Sequence, residues 1–191
     1  MSFHSAIPVK ARIRSVCVYC ASGTEIAPVY AEAAERLGTI LGERGLCVIN
    51  GAGSTGLMRV LSDAVLRAGG KVTGVIPRFM VESGWCHPGL TERIEVETMH
   101  ERKQRMAALS DAVIALPGGC GTLEELMEII TWKQLGLYRH PVVILNTNHY
   151  YDPLLTMFQR AVNEHFMHPR HALIWQVAQT PGEAVELMIN N

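Results

Sequence analysis

The chain predicts an α/β fold in which one parallel sheet is doubly wound and covered by helices on both faces. Three observations carry this. Short runs of strand length alternate with longer segments of helical spacing along the whole sequence. The runs are apolar throughout, as strands buried on both faces are, with no polar alternation. Turns of glycine or small polar residues follow three of the runs, at 21–24, 51–56 and 117–122, and open parallel sheets bind ligands at such carboxyl ends, near the switch in strand order. The expected fold is Rossmann-like. With 191 residues and 48% hydrophobic composition, the chain has the core of one domain, 13–191, behind a loose N-terminal arm, 1–12.

The elements follow in order. Residues 13–19 read as the first strand, followed by the polar turn 21–24 and an amphipathic helix over 28–44 that Gly45 ends. A strand at 46–50 runs into Gly51-Ala52-Gly53-Ser54-Thr55-Gly56 and a helix over 57–68, stopped by Gly69-Gly70. The strand 72–76 breaks at Pro77, and 78–92 is a connection without clear periodicity. A short strand at 94–96 and a helix over 99–109 precede the strand 111–116, the glycine turn that begins at Pro117, and a helix over 125–137. A strand at 142–145, a helix over 152–166 capped by Asp152 with Pro153 just inside it, and a closing helix over 181–189 complete the alternation. No repeat, low-complexity tract or linker interrupts it.

A formal charge of -1 and a pI near 6.7 argue against nucleic acid or an anionic membrane as partner, because both require clustered Lys and Arg. A small-molecule ligand is expected instead. No apolar run approaches the ~20 residues that span a bilayer, and no signal-peptide apolar region opens the sequence, so a soluble, cytoplasmic protein is expected. The five cysteines, an odd number in a chain of this length, suit a reducing compartment. Cys17 and Cys20 have the spacing of a redox or zinc pair, but in a strand they point to opposite faces and read as buried thiols. His165, His168 and His171 are spaced as for a metal, yet Pro169 breaks any helix there and no carboxylate accompanies them; they read as surface histidines.

The stretch Pro117-Gly118-Gly119-Cys120-Gly121-Thr122-Leu123-Glu124-Glu125 is the centre of the chemistry. Glycines in a strand-to-helix turn let backbone amides approach an anion, and the helix N-terminus adds unsatisfied N–H groups and a positive dipole end. Thr122-Leu123-Glu124-Glu125 also fits a capping box that needs no ligand. The box accounts for Thr122 and Glu125, but not for three glycines. The turn at 51–56 matches G-x-G-x-x-G in the strand-turn-helix context that the dinucleotide pattern demands. Where NAD binding requires an acidic residue about 20 positions on, however, stands Ile76-Pro77-Arg78, which leaves only a 2′-phosphate cofactor open. No Walker-type nucleotide loop is present. On the helix over 99–109, Arg102 shares the apolar face of Met99, Met106 and Leu109; it either snorkels to solvent or pairs with Glu125, whose carboxylate it would hold ionised.

Together these residues resemble the Lonely Guy family, the cytokinin-activating nucleoside 5′-monophosphate phosphoribohydrolases. Pro117 to Glu125 fits PGGxGTxxE, Met99-His100-Glu101-Arg102-Lys103 fits the preceding MHxRK element, and Gly53-Ser54-Thr55-Gly56-Leu57-Met58 extends a likeness that runs over about 15–155. The resemblance implies a homodimer that cleaves the N-glycosidic bond of adenine-type nucleoside monophosphates, AMP or N6-substituted cytokinin nucleotides, to free base and ribose 5-phosphate. It implies that Arg102 and Glu125 are catalytic. The implied substrate-binding set is Ser22, Gly53, Ser54, Lys103, Gly118, Gly119, Cys120, Gly121, Thr122, Leu123, Glu124 and Thr131, with the phosphate on Gly118 to Thr122. No metal or organic cofactor is required. The chain departs from the pattern where Ala21, Ala52 and Arg59 replace glycines and where Gly84 replaces an acid near the base.

Two other functions compete with hydrolysis. One is non-catalytic binding of a nucleoside monophosphate. The other comes from the label of possible lysine decarboxylase that similar proteins carry, but pyridoxal chemistry needs a Schiff-base lysine with supporting residues. The lysines here are Lys10, Lys71, Lys103 and Lys133, and none has the setting of such a site.

Overall fold

A computed structural model describes residues 12–190, so the arm expected over 1–12 lies outside the described residues except for Arg12. Seven strands build one sheet: β1 (Ser15–Tyr19), β2 (Cys47–Asn50), β3 (Lys71–Pro77), β4 (Glu92–Val96), β5 (Val113–Ala115), β6 (Val142–Leu145) and β7 (Gln176–Ala178). Their order is β4-β3-β2-β1-β5-β6-β7, and each pairing is parallel. The chain winds outward from β1 to β4, then returns to place β5 beside β1. That reversal is the switch point, and it lies where three ligand-type turns leave the sheet.

The helices are α1 (Pro28–Glu43), α2 (Gly56–Arg67), α3 (Arg78–Glu82), α4 (Met99–Ala108), α5 (Cys120–Gln134), α6 (Asp152–Asn163) and α7 (Pro181–Asn190). Alternation along each strand sorts the core into two layers. Val16 and Val18 of β1 join Leu37 and Leu41 of α1, Leu61 and Val65 of α2 and Met188 of α7 on one face. Cys17 and Tyr19 join Met106 of α4, Leu126 and Ile129 of α5 and Phe158 of α6 on the other. The five inner strands β1, β2, β3, β5 and β6 feed both layers and are largely apolar, whereas the edge strand β4 exposes Glu92, Arg93 and Glu95. Cys17 and Cys20 accordingly fall in different layers, both buried as free thiols.

The structure departs from the sequence reading at several places. Residues 78–92 contain α3, whose five residues are too few to show a period, and Gly53 makes an isolated antiparallel bridge to Cys86 in the same connection. The strand predicted over 111–116 narrows to Val113–Ala115, because the Asp111 carboxylate turns back to accept from the amides of Arg14 and Ser15 at 2.9 and 3.1 Å. Asp152 is the first residue of α6, not its cap; its carboxylate accepts from the Asn146 side chain at 2.7 Å. The short β7, sequence Gln-Val-Ala, falls between the helices expected over 152–166 and 181–189, where the sequence reading assigns no element.

Candidate active site

At the switch point the carboxyl ends of β1, β2 and β5 open into a cavity of about 780 Å³. Its wall includes Ser22, Gly53, Ser54, Gly118, Gly119, Cys120, Gly121, Thr122, Arg102 and Glu125, so all three turns expected near a ligand meet in one place.

The glycine turn presents free backbone donors to the cavity. Helix α5 begins at Cys120, five residues earlier than its spacing suggests, with Gly119 at the N-cap position and no side-chain cap. The first bond reaching back to the cap runs from the Leu123 amide to the Gly119 carbonyl at 3.0 Å, which leaves the amides of Cys120, Gly121 and Thr122 without an acceptor in their own helix. These donors and the helix dipole converge on the cavity. The Thr122 side chain is buried against Gly118, where an added Cβ would lie 2.1 Å from Oγ1. The capping-box reading of Thr122 and Glu125 therefore fails: Thr122 lies inside the helix. A variant of the box does exist one motif earlier, where the cap Thr98 accepts from the Glu101 amide at 3.1 Å and Glu101 accepts from the amide of Glu97, the residue before the cap, at 2.9 Å.

That second box starts α4 and fixes Arg102 in its first turn. Arg102 is 6% exposed, so it does not snorkel. Its Nε donates to the Val75 carbonyl at 3.2 Å and its Nη2 to the Gly51 carbonyl at 3.0 Å. A Cβ at Gly51 would sit 1.7 Å from Nη2, so a side chain there would displace the guanidinium from this position. A guanidinium carries five N–H donors, so two carbonyl bonds leave others for a ligand. The expected pairing with Glu125 takes a different form: among the described residues no ion pair within 4.0 Å joins the two, and Arg102 is anchored by backbone oxygens. Its charge still reaches the carboxylate.

Glu125 is half-buried, one turn into α5. Burial pushes its pKa from 4.5 up to about 7; Arg102 opposes the rise, Glu124 adds to it, and Lys103 opposes it. A carboxyl poised near neutrality at a cavity wall is what general acid–base chemistry uses.

Four residues of the expected set are not in the wall. Lys103 is buried between α4 and α5, where it pairs with Glu124 and, at 3.2 Å, with Glu128; burial disfavours its charge, but those carboxylates outweigh it and raise its pKa. Glu124 is that lysine's partner. Leu123 packs into the core layer beneath α5, and the exposed Thr131 donates to its own helix at the Met127 carbonyl, 2.8 Å away. Lys71 is exposed and Lys133 donates to the His140 carbonyl at 2.8 Å, so among the described residues no lysine lines the cavity.

Met80, Trp85 and Tyr150 line the cavity and were missed from sequence. The connection carrying Trp85 is pinned to the second glycine turn by bonds from the Ser54 amide to the Trp85 carbonyl (2.9 Å) and from the His87 amide to the Ala52 carbonyl (2.8 Å). The buried His87 accepts from the Gly89 amide at Nδ1, so Nε2 carries the proton toward Asp63 of α2 at 3.0 Å. Aperiodicity hid these residues. Tyr150 stands in the turn after β6, on the same edge of the sheet as the other ligand turns, and the switch-point rule applied to that turn would have found it.

Fold and site together define a doubly wound α/β protein with an anion cradle beside a poised carboxylate. The family model described as "Possible lysine decarboxylase" matches residues 58–188. Over 160 residues the chain is 47% identical to cytokinin riboside 5′-monophosphate phosphoribohydrolase LOG7 of Arabidopsis thaliana, covering 84% of this chain and 74% of that one. Over 178 residues it is 44% identical to LOG5 of the same plant and the same description, covering 93% and 78%. The X-ray structure of TM1055 superposes with a TM-score of 0.73 at 25% identity, covering 93% of this chain and 99% of that one. The chain belongs to the Lonely Guy family, to which this family model corresponds.

Proposed function

We propose that the protein hydrolyses the N-glycosidic bond of adenine-type nucleoside 5′-monophosphates, AMP or N6-substituted cytokinin nucleotides, to free base and ribose 5-phosphate. The observation that carries this reading is the raised Glu125 carboxyl, one helical turn from the amides of Cys120, Gly121 and Thr122. A phosphate on those amides anchors the ribose and orients C1′ relative to Glu125. Glycosidic cleavage develops positive charge on the sugar, which the Glu125 carboxylate stabilises while it draws a proton from the attacking water. Arg102 opposes the rise that burial imposes on Glu125, so that more of it is ionised near neutral pH. Ser22, Gly53 and Ser54 also line the cavity, and the apolar surfaces of Met80 and Trp85 suit the base. Lys103 and Glu124 act by holding α4 to α5. The reaction uses no metal or organic cofactor.

Incubation with AMP, isopentenyladenosine monophosphate and a panel of purine and pyrimidine monophosphates tests this. Free base is expected from the adenine nucleotides and none from adenosine, which lacks the anchor. Binding of the monophosphates without base release would make the protein a non-catalytic nucleotide binder.

The same reading places one domain over 13–191, acting in the cytoplasm as a homodimer. Five free cysteines suit a reducing compartment, and among the described residues no helix is long and apolar enough to cross a membrane. Cell fractionation with the activity in the membrane pellet would contradict that placement. Beyond the buried Ile129 and Ile130, Leu135 is 65% and Leu137 72% exposed, a patch that a second copy would cover. Sedimentation should give about twice 21.1 kDa, and Leu135→Asp with Leu137→Asp should halve it; a monomeric parent overturns the dimer.

A further inference from the structure

The stretch between β6 and α6 is strained, tightly tied down, and ends on two tyrosines that neither the mechanism nor the motifs use. Asn148 and His149 are consecutive non-glycine residues with φ of 53° and 59°, in the left-handed region that side chains disfavour. Such backbone persists only where its surroundings hold it. Here the holder is the buried Asn146, whose amide donates to the Ala178 carbonyl at 2.7 Å, whose Oδ1 accepts from the Tyr151 amide at 2.7 Å, and whose Nδ2 donates to Asp152 at 2.7 Å. The distorted turn throws the following side chains across the sheet to the glycine turn after β5. The Tyr150 hydroxyl donates to the Gly118 carbonyl at 2.7 Å, and the Tyr151 hydroxyl donates to the Leu116 carbonyl at 2.6 Å.

These bonds take the carbonyls on either side of Pro117, which itself has no N–H to fix the turn. The peptide between Gly118 and Gly119 is trans, so holding its C=O toward Tyr150 turns the Gly119 N–H to the opposite side. The Tyr150 ring is itself held, edge-on to Tyr30 at 5.9 Å and to Tyr151 at 5.1 Å between centroids, although it is 39% exposed. An exposed hydroxyl would otherwise be free to bond water. Two adjacent glycines have no side chains to set their own peptide plane, so an external clamp does it.

We propose that Tyr150 is a positioning residue for the phosphate cradle: its hydroxyl bond to Gly118 fixes the Gly118–Gly119 peptide so that the Gly119 amide joins those of Cys120, Gly121 and Thr122 as a phosphate donor. This rests on the phosphate assignment above. Tyr151 does different work, securing the end of β5 within the core.

The test compares Tyr150→Phe and Tyr151→Phe with the parent, using ribose 5-phosphate and adenosine as separate binding probes and AMP as substrate. Tyr150→Phe is expected to weaken ribose 5-phosphate binding about tenfold and to raise KM for AMP about as much. It should leave kcat within about twofold, adenosine binding unchanged and the melting temperature near the parent's. Tyr151→Phe is expected to lower the melting temperature more and to raise KM less. Unchanged ribose 5-phosphate affinity in Tyr150→Phe, or an equal loss for adenosine and ribose 5-phosphate, overturns the proposal. If the parent releases no base from AMP, the hydrolase reading falls while the ribose 5-phosphate arm still decides this one.

Discussion

Glu125→Gln is expected to lower turnover of AMP by about 10²–10⁴-fold in a protein that remains folded. Gln keeps the shape of the side chain and its place in α5 but can neither stabilise positive charge on the sugar nor accept a proton from water. The pH dependence gives the prediction a second, independent readout. Burial raises the carboxyl from 4.5 to about 7, so in the parent the active, ionised form grows in as pH rises, and kcat/KM should climb through about pH 7. Stability moves the other way. Between the unfolded and folded values the native state binds the proton more tightly than the unfolded chain, so stability declines as pH rises from about 4.5 to about 7, by up to about 3 kcal/mol, and then levels off. Glu125→Gln removes that slope, and denaturant titrations across this range should show the variant gaining on the parent. A slope that survives the substitution would mean that the carboxyl is not the buried, proton-binding group described here.

Arg102→Ala is expected to damage both activity and fold. It deletes two charge-assisted bonds, to the carbonyls of Val75 and Gly51, at a cost of about 3 kcal/mol. Because the guanidinium holds the Glu125 carboxyl down, its loss should also move the rising limb of the pH–rate profile above pH 7. Arg102→Lys keeps a charge but not the planar fork that spans two carbonyls, so part of the pH shift should be rescued and little of the stability. Gly51→Ala should mimic the loss from the opposite side, since its methyl group occupies the position of Nη2. A variant of Arg102 with the parent's melting temperature and pH profile would refute the anchoring role.

The difference between these variants follows from how each residue is held, and it marks what could be read from sequence. The strands β1, β2, β3 and β6 and the helices α1, α2 and α4 were legible because each is buried on predictable faces, and the three ligand turns were legible because glycine between a strand and a helix has few other uses. The start of α5 was not: glycines 118, 119 and 121 lower helix propensity, yet the helix begins among them, which places Thr122 inside it and frees the amides that make the cradle. Arg102 was visible as a charge on an apolar face. Its partners, 27 and 51 positions away and both backbone oxygens, leave no trace in side-chain pattern. Lys103, Leu123, Glu124 and Thr131 entered the site through motif position alone, and their side chains point to ion pairs, core or solvent. Trp85 and Tyr150 were hidden for the converse reason, because each sits in an irregular connection and reaches the cavity through backbone bonds or strain that only the assembled sheet supplies.

The most direct measurement is simultaneous chromatographic quantification of adenine and ribose 5-phosphate after incubating AMP with the parent and with Glu125→Gln at pH 8. Equal amounts of both products are expected from the parent and almost none from the variant. No adenine from the parent, or parent-like release from the variant, would contradict hydrolysis through Glu125.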